Sequence, residues 1–263
     1  MSANPVFGAD GRNFAKASQQ YATLPSVAAS PIEQEQSRLR QRSVAFTRPM
    51  TADDVVTRTG AMVGVIIAVG GVSWWLDRGV LAIGGLIVGL ILALVISFRA
   101  STNPVLIMTY AACEGLFLGA ISRQYATAYH NIVPQAVIAT AGVFMGMLAV
   151  YKFGKIRVTP RFNRIVAAGI FGVLAVVGVN LIASLVMGHD ALGLYSGGPI
   201  AIGFTLLCIG LAAAAFLSDF DMIDRQIRRG APEQMAWYAA FGLTVTLVWL
   251  YLEILRLIGF LRD

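Results

Sequence analysis

Charged side chains are scarce in this sequence: Asp, Glu, Lys and Arg make up 13% of its 263 residues, about half the share found in a soluble domain. That shortage excludes a soluble globular fold, and beyond residue 58 apolar stretches of about 20 residues follow one another to the C-terminus. Cysteine is nearly absent. Cys113 and Cys208 both fall within apolar stretches, so neither a disulfide framework nor a CxxC metal site is on offer, and both read as packing residues. Histidine is equally rare. His130 and His189 stand in predicted loops, which removes the helix-borne base of an intramembrane serine protease, and no GxSG loop supplies its nucleophile. The GxGD element of intramembrane aspartyl proteases, a Walker A loop, HExxH and a dinucleotide-binding glycine loop are missing as well. The sequence therefore reads as that of a protein that is not an enzyme and implies no cofactor. Met1 to Ser30 contains no basic start followed directly by an apolar stretch, so no secretory signal is expected.

What is present in quantity is apolar: 57% of the chain. Seven spans are predicted, at about 55 to 76, 80 to 98, 104 to 123, 132 to 151, 164 to 187, 199 to 218 and 236 to 260. At 1.5 Å per residue about 20 residues cross the roughly 30 Å hydrocarbon layer, where only a helix satisfies its own backbone. The fold class is all-α, a polytopic seven-transmembrane-helix bundle over residues 51–263. Capping side chains at Thr51, Asp53 and Asp54 precede the first span. Pro104, Pro134 and Pro199 mark helix starts, while Pro160 and Pro232 read as loop residues. Leu76-Asp77-Arg78-Gly79 predicts a tight hairpin between the first two spans. Residues 1–50 hold four of the nine prolines and many Ser, Gln and Ala, which reads as a polar, disordered cytoplasmic tail. Within it, Pro31 to Ser43 has helix-forming composition but no apolar stripe.

A net charge of +6 would suit nucleic acid, but the basic residues collect between spans, where they set topology instead. One side gathers sixteen Lys and Arg, seven of them between Arg12 and Arg58, and the other gathers four, Arg78, Arg123, Arg256 and Arg262. The bias places the N-terminus in the cytoplasm, and seven crossings put the C-terminus outside the cell membrane. Trp74, Trp75, Tyr125, Tyr129 and Tyr195 then mark the outer interface, and Tyr151, Trp237 and Tyr238 the inner one. Gly60/Gly64, Gly85/Gly89, Gly115/Gly119 and Gly142/Gly146 are GxxxG pairs, which predict close contacts among the first four helices. Asn180, inside the fifth span, reads as interhelical glue.

An ionisable group within a span is a functional candidate by default. Glu114 lies mid-span in the third helix, Glu253 in the seventh, Asp219 and Asp221 at the end of the sixth, and Arg99 at the end of the second. Structural readings stand beside the functional ones. Asp221 with Arg225 and Asp224 with Arg228 are spaced as i,i+4 pairs of a solvated helix end. Arg256 stands one turn from Glu253 and can neutralise it, and Arg99 can serve as a topology charge. Glu114 has no charged neighbour at helical spacing, so it is protonated, paired across helices or bathed in water.

Ser-Asp-Phe-Asp221 closing the sixth span, Trp-Leu-Tyr-Leu-Glu253-Ile-Leu-Arg in the seventh and Glu114-Gly-Leu-Phe-Leu-Gly in the third resemble the Bax inhibitor-1, or transmembrane BAX inhibitor motif, family in its bacterial branch, over about residues 50 to 263. The resemblance implies a bundle with its last helix central and a pH-dependent Ca²⁺ leak. It further implies that an acidic pair on helices six and seven shares a proton, while an Arg ending helix two latches it. By motif these are Asp221, Glu253 and Arg99, with Glu114 and Asp219 as candidate pore or cavity residues, and no metal ligand set is assigned. Glu253 stands where the family usually has Asp. Depth also counts against the pairing, since Asp221 lies about 33 Å along its helix from Pro199 and Glu253 about 15 Å from the C-terminus. The expected partners are the lipid bilayer, Ca²⁺ and protons. An alternative reading, favoured by the long tail, is a regulator that binds a membrane partner such as an ATP-dependent membrane protease.

Overall fold

A computed structural model of the chain describes residues 48–76, 79–154, 158–187 and 192–262. The chain divides into two units, Met1–Thr47 and Arg48–Asp263. The expectations for the tail through residue 47, including a helix from Pro31 to Ser43, lie outside the described residues, as do those for Asp77, Arg78 and His189.

Among the described residues seven helices carry the fold: α1 (Ala52–Leu76), α2 (Gly79–Arg99), α3 (Pro104–Ala128), α4 (Ile132–Phe153), α5 (Pro160–Met187), α6 (Pro199–Arg228) and α7 (Met235–Phe260). All seven are long and apolar enough to cross a membrane. Large apolar side chains such as Ile91, Ile138 and Leu185 face outward, an exposure that water would penalise and a lipid bilayer accommodates. The helix starts follow local chemistry. Thr51 and Asp54 cap α1 reciprocally: the Thr51 amide donates to Asp54 Oδ2 at 2.9 Å, and the Asp54 amide to Thr51 Oγ1 at 3.3 Å. Asn103 Oδ1 accepts from the Val105 amide at 3.0 Å, with Pro104 at the first helical position of α3.

Two boundaries differ from the sequence reading. Pro160 is not a loop residue but the first residue of α5, because Thr159 Oγ1 accepts from the Phe162 amide at 3.2 Å and caps the extra turn. Helix α6 runs to Arg228 instead of ending near residue 218. Its polar last turns are held by ion pairs of Asp221 with Arg225 and Asp224 with Arg228, with the arginines at the helix end that favours cations. Gly230, in the left-handed region at φ +65°, then turns the chain away.

Helix α7 is central, packing against α6, α1, α4 and α3, whereas α2 packs mainly on α3 and α5 on α6. One core cluster joins Phe216, Phe220, Ala239 and Leu250, with Phe144 edge-on to Phe216 at 5.3 Å. A second joins Met62, Ile107, Tyr110 and Phe241, with Tyr110 and Phe241 at 5.0 Å. Of the four GxxxG pairs, two make contacts. A Cβ on Gly119 would lie 2.2 Å from the Gly70 carbonyl oxygen of α1, and one on Gly85 would lie 2.7 Å from the Cys113 carbonyl oxygen of α3. Gly60, Gly64, Gly142 and Gly146 have nothing within 4 Å of that position, so those pairs do not bring their helices together. Cys208 is buried and Cys113 half-buried.

Candidate functional site

Helices α1, α3, α5 and α7 begin at one face of the bundle, the Arg48 face, and α2, α4 and α6 end there. The opposite face carries Arg262. Between them the antiparallel α6 and α7 form a seam that holds most of the carboxylates singled out from the sequence. Asp219 and Thr246 set its register: the Thr246 hydroxyl donates to Asp219 Oδ2 at 2.8 Å. Among the described residues no cation pairs with Asp219.

Asp221, two residues nearer the Arg48 face, turns to Arg225 on its own helix at 2.6 Å, with its side chain 15% exposed. Glu253 lies seven residues beyond Thr246 toward the Arg262 face and pairs with Arg256 at 3.0 Å. Its side chain is 7% exposed, and the Arg256 guanidinium in turn stacks over the Tyr195 ring at 4.8 Å.

The expected acidic pair is therefore not assembled. Counting from the Asp219–Thr246 contact, Asp221 and Glu253 lie in opposite directions, about 14 Å apart along the seam at 1.5 Å per residue. Each carboxylate is ion-paired with an arginine of its own helix. Arg99 does not latch Asp221 either. It ends α2, which packs mainly on α3, and its side chain is exposed with no ion pair among the described residues. The i,i+4 and i,i+3 pairings are the structural readings that stood open for Asp221 and Glu253.

Glu114 is placed away from this seam. It is half-buried where α2 meets α3, with Oε1 3.7 Å from the position a Cβ would take on Gly89, and Tyr110 stands one turn earlier on the same helix. Between α1, α3, α4 and α7 lies a cavity of about 450 Å³ walled by apolar side chains including Ile67, Val137, Phe144 and Leu247. The Ser122 and Tyr251 hydroxyls meet at 2.7 Å on its wall. Asn180 accepts from the Leu192 amide at 2.9 Å, which ties α5 to the following loop.

Sequence reasoning passed over Thr246, the Ser122–Tyr251 pair and the Ser218–Asn163 bond of 2.9 Å that joins α6 to α5. The available signal was a hydroxyl or amide inside an apolar span, since such groups in hydrocarbon seek a partner on another helix. Among the described residues no three His, Cys, Asp or Glu side chains gather to hold a metal ion.

These features define a polytopic helical membrane protein with its last helix inside the bundle and carboxylates within membrane-spanning segments. The chain belongs to the Bax inhibitor 1 like family, whose family model matches residues 4–263. That match takes in nearly all of the N-terminal tail, so a resemblance confined to about residues 50 to 263 is too short. No curated protein matches the sequence significantly.

Proposed function

We propose that this protein is a proton-sensitive Ca²⁺ leak of the cell membrane whose path follows the α6–α7 seam. The observation that carries the reading is Asp219, a carboxylate inside the central helix pair whose partner is the Thr246 hydroxyl, with no cation paired to it among the described residues. A carboxylate surrounded by hydrocarbon and helices needs its charge neutralised, and either a proton or a passing cation does so. Ca²⁺ takes oxygen ligands, so the two compete for one group, and acidic side chains along a pore attract cations. Glu253 adds its oxygens to the seam toward the Arg262 face, and Asp221 lies toward the Arg48 end of α6 on another side of that helix, each paired with an arginine of its own helix.

The family resemblance implies an α6 acid and an α7 acid sharing a proton. On this chain Asp219 is the α6 acid that faces α7, so we assign the titrating role to Asp219 and the flanking roles to Asp221 and Glu253. The protein acts as a conduit and not as an enzyme, with its N-terminus in the cytoplasm and its C-terminus outside. The test is Ca²⁺ entry into liposomes holding the purified protein, followed from pH 5 to 8. Flux above protein-free vesicles that changes with pH supports the reading. Flux equal to that of protein-free vesicles across the range overturns it.

A further inference from the structure

We propose that Arg48–Thr51 is a strap that holds the α6–α7 loop and, through it, sets the end of α6. Residues 48–50 run antiparallel to the loop in a single bridge, Pro49 opposite Pro232. The Met50 amide donates to the Ala231 carbonyl at 2.8 Å, and the Glu233 amide donates to the Arg48 carbonyl at 2.9 Å. Neither proline has an N–H to offer, and here each sits at a position where the ladder asks for none, so the bridge loses no donor.

Side chains fasten the same contact in three further ways. Met50 is 2% exposed and belongs to the core cluster that contains Phe220, Ile223 and Ala236. The Arg58 guanidinium reaches Glu233 Oε1 at 2.7 Å and also bonds the Glu233 carbonyl, while lying 5.2 Å over the Trp237 ring. Arg48 joins Asp54 at 2.5 Å and Glu233 at 3.6 Å. Arg58 is 14% exposed and Arg48 is 59% exposed, so the Arg58 pair is the less screened of the two and the firmer anchor. The loop between Arg228 and Met235 is short, and displacement of Arg48 is therefore passed to both helix ends at once. A tail of 47 residues precedes the strap, and the family match covers tail and bundle together.

The coupling to flux rests on the proposed leak, whereas the strap itself is tested without it. Pro49 and Pro232 occupy a pair flanked by the two ladder hydrogen bonds, a geometry with Cα atoms about 4.5 Å apart that suits a disulfide. In full-length protein with Cys113→Ser and Cys208→Ala, the Pro49→Cys/Pro232→Cys variant is expected to cross-link under mild oxidant and open again with dithiothreitol. In separate variants, Glu233→Gln and Arg58→Met should speed amide exchange of Met50 and Glu233 about tenfold. Failure to cross-link, or exchange unchanged in both variants, overturns the strap. If the cross-linked protein conducts Ca²⁺ as fast as its own reduced form, the strap does not control the path. If neither form conducts, the leak reading falls, while cross-linking and exchange still decide the strap.

Discussion

The hydroxyl of Thr246 on α7 donates to Oδ2 of Asp219 on α6 at 2.8 Å, and this one bond fixes which carboxylate of α6 faces the central helix. Asp221, two residues further on, has turned to Arg225. A helix places residues two apart about 200° around its axis, so the two aspartates cannot both look into the same seam.

The first prediction separates them. If the titrating group is Asp219, then Asp219→Asn in liposomes removes the pH dependence of Ca²⁺ flux, and Thr246→Val shifts that dependence by removing the donor. Asp221→Asn leaves the pH profile in place and changes only the rate. A silent Asp219→Asn together with a flat pH profile for Asp221→Asn would hand the role back to Asp221.

Glycine contacts make a second prediction with an internal control. A methyl group at position 119 would fall 2.2 Å from the Gly70 carbonyl oxygen, and backbone cannot retreat as a side chain can. Gly119→Ala is expected to cost about 1–3 kcal/mol or more through overpacking. Gly64→Ala and Gly142→Ala meet open space and should be neutral or stabilise by about 0.5–1 kcal/mol, the ordinary helix preference for alanine. Thermal unfolding of the three variants in one detergent decides it: equal melting temperatures would mean that α1 and α3 can part at no cost.

How much of this was legible in the sequence varies with the physics at each residue. The seven crossings were, since each needs a long apolar run and little else sets that length. The i,i+4 spacing of Asp221 with Arg225 and of Asp224 with Arg228 already marked a solvated helix end, and the structure forms both pairs. The apolar run that defines a span stops near residue 218, however, so the last ten residues of α6 fell outside it. Gly115/Gly119 was visible as a motif, but its counterpart Gly70 belongs to no GxxxG pair. The acidic pair that the resemblance implies is not assembled, as the depth mismatch between Asp221 and Glu253 already indicated. Sequence gives the depth of Asp221 on α6 and of Glu253 on α7 separately, while the register between the helices comes from side chains such as Thr246 that carry no motif.

Glu253 supplies the third prediction. Its carboxylate and the Arg256 guanidinium are 7% and 20% exposed and 3.0 Å apart, so removing one partner strands the other in poorly solvated surroundings. Glu253→Gln should lower stability by about 1–3 kcal/mol. Pairing it with Arg256→Gln should recover part of that loss, a non-additivity that marks direct coupling, although the stacking of Arg256 on Tyr195 is not recovered. Strictly additive losses in detergent unfolding would remove the pair from the account. A Glu253→Gln protein that keeps its stability yet loses all pH response would instead restore Glu253 as a titrating acid.

The last prediction concerns which way the bundle sits. If all seven apolar helices cross, the chain ends lie on opposite sides of the membrane, and only the orientation is left to the charges. Sixteen Lys and Arg fall on the side of the tail and four on the other. Basic residues near span ends resist translocation, so the richer side stays in the cytoplasm. A reporter active only in the cytoplasm should therefore work when fused after Tyr21 or inserted between residues 155 and 161, and be silent after Asp263. Activity at all three sites would mean that one helix fails to cross. The inverted pattern, silent at the first two sites and active at the third, would place the strap and the loop it holds outside the cell. Cytoplasmic partners could then no longer reach the tail, and control of α6 through Arg48–Thr51 would have to respond to the outer medium.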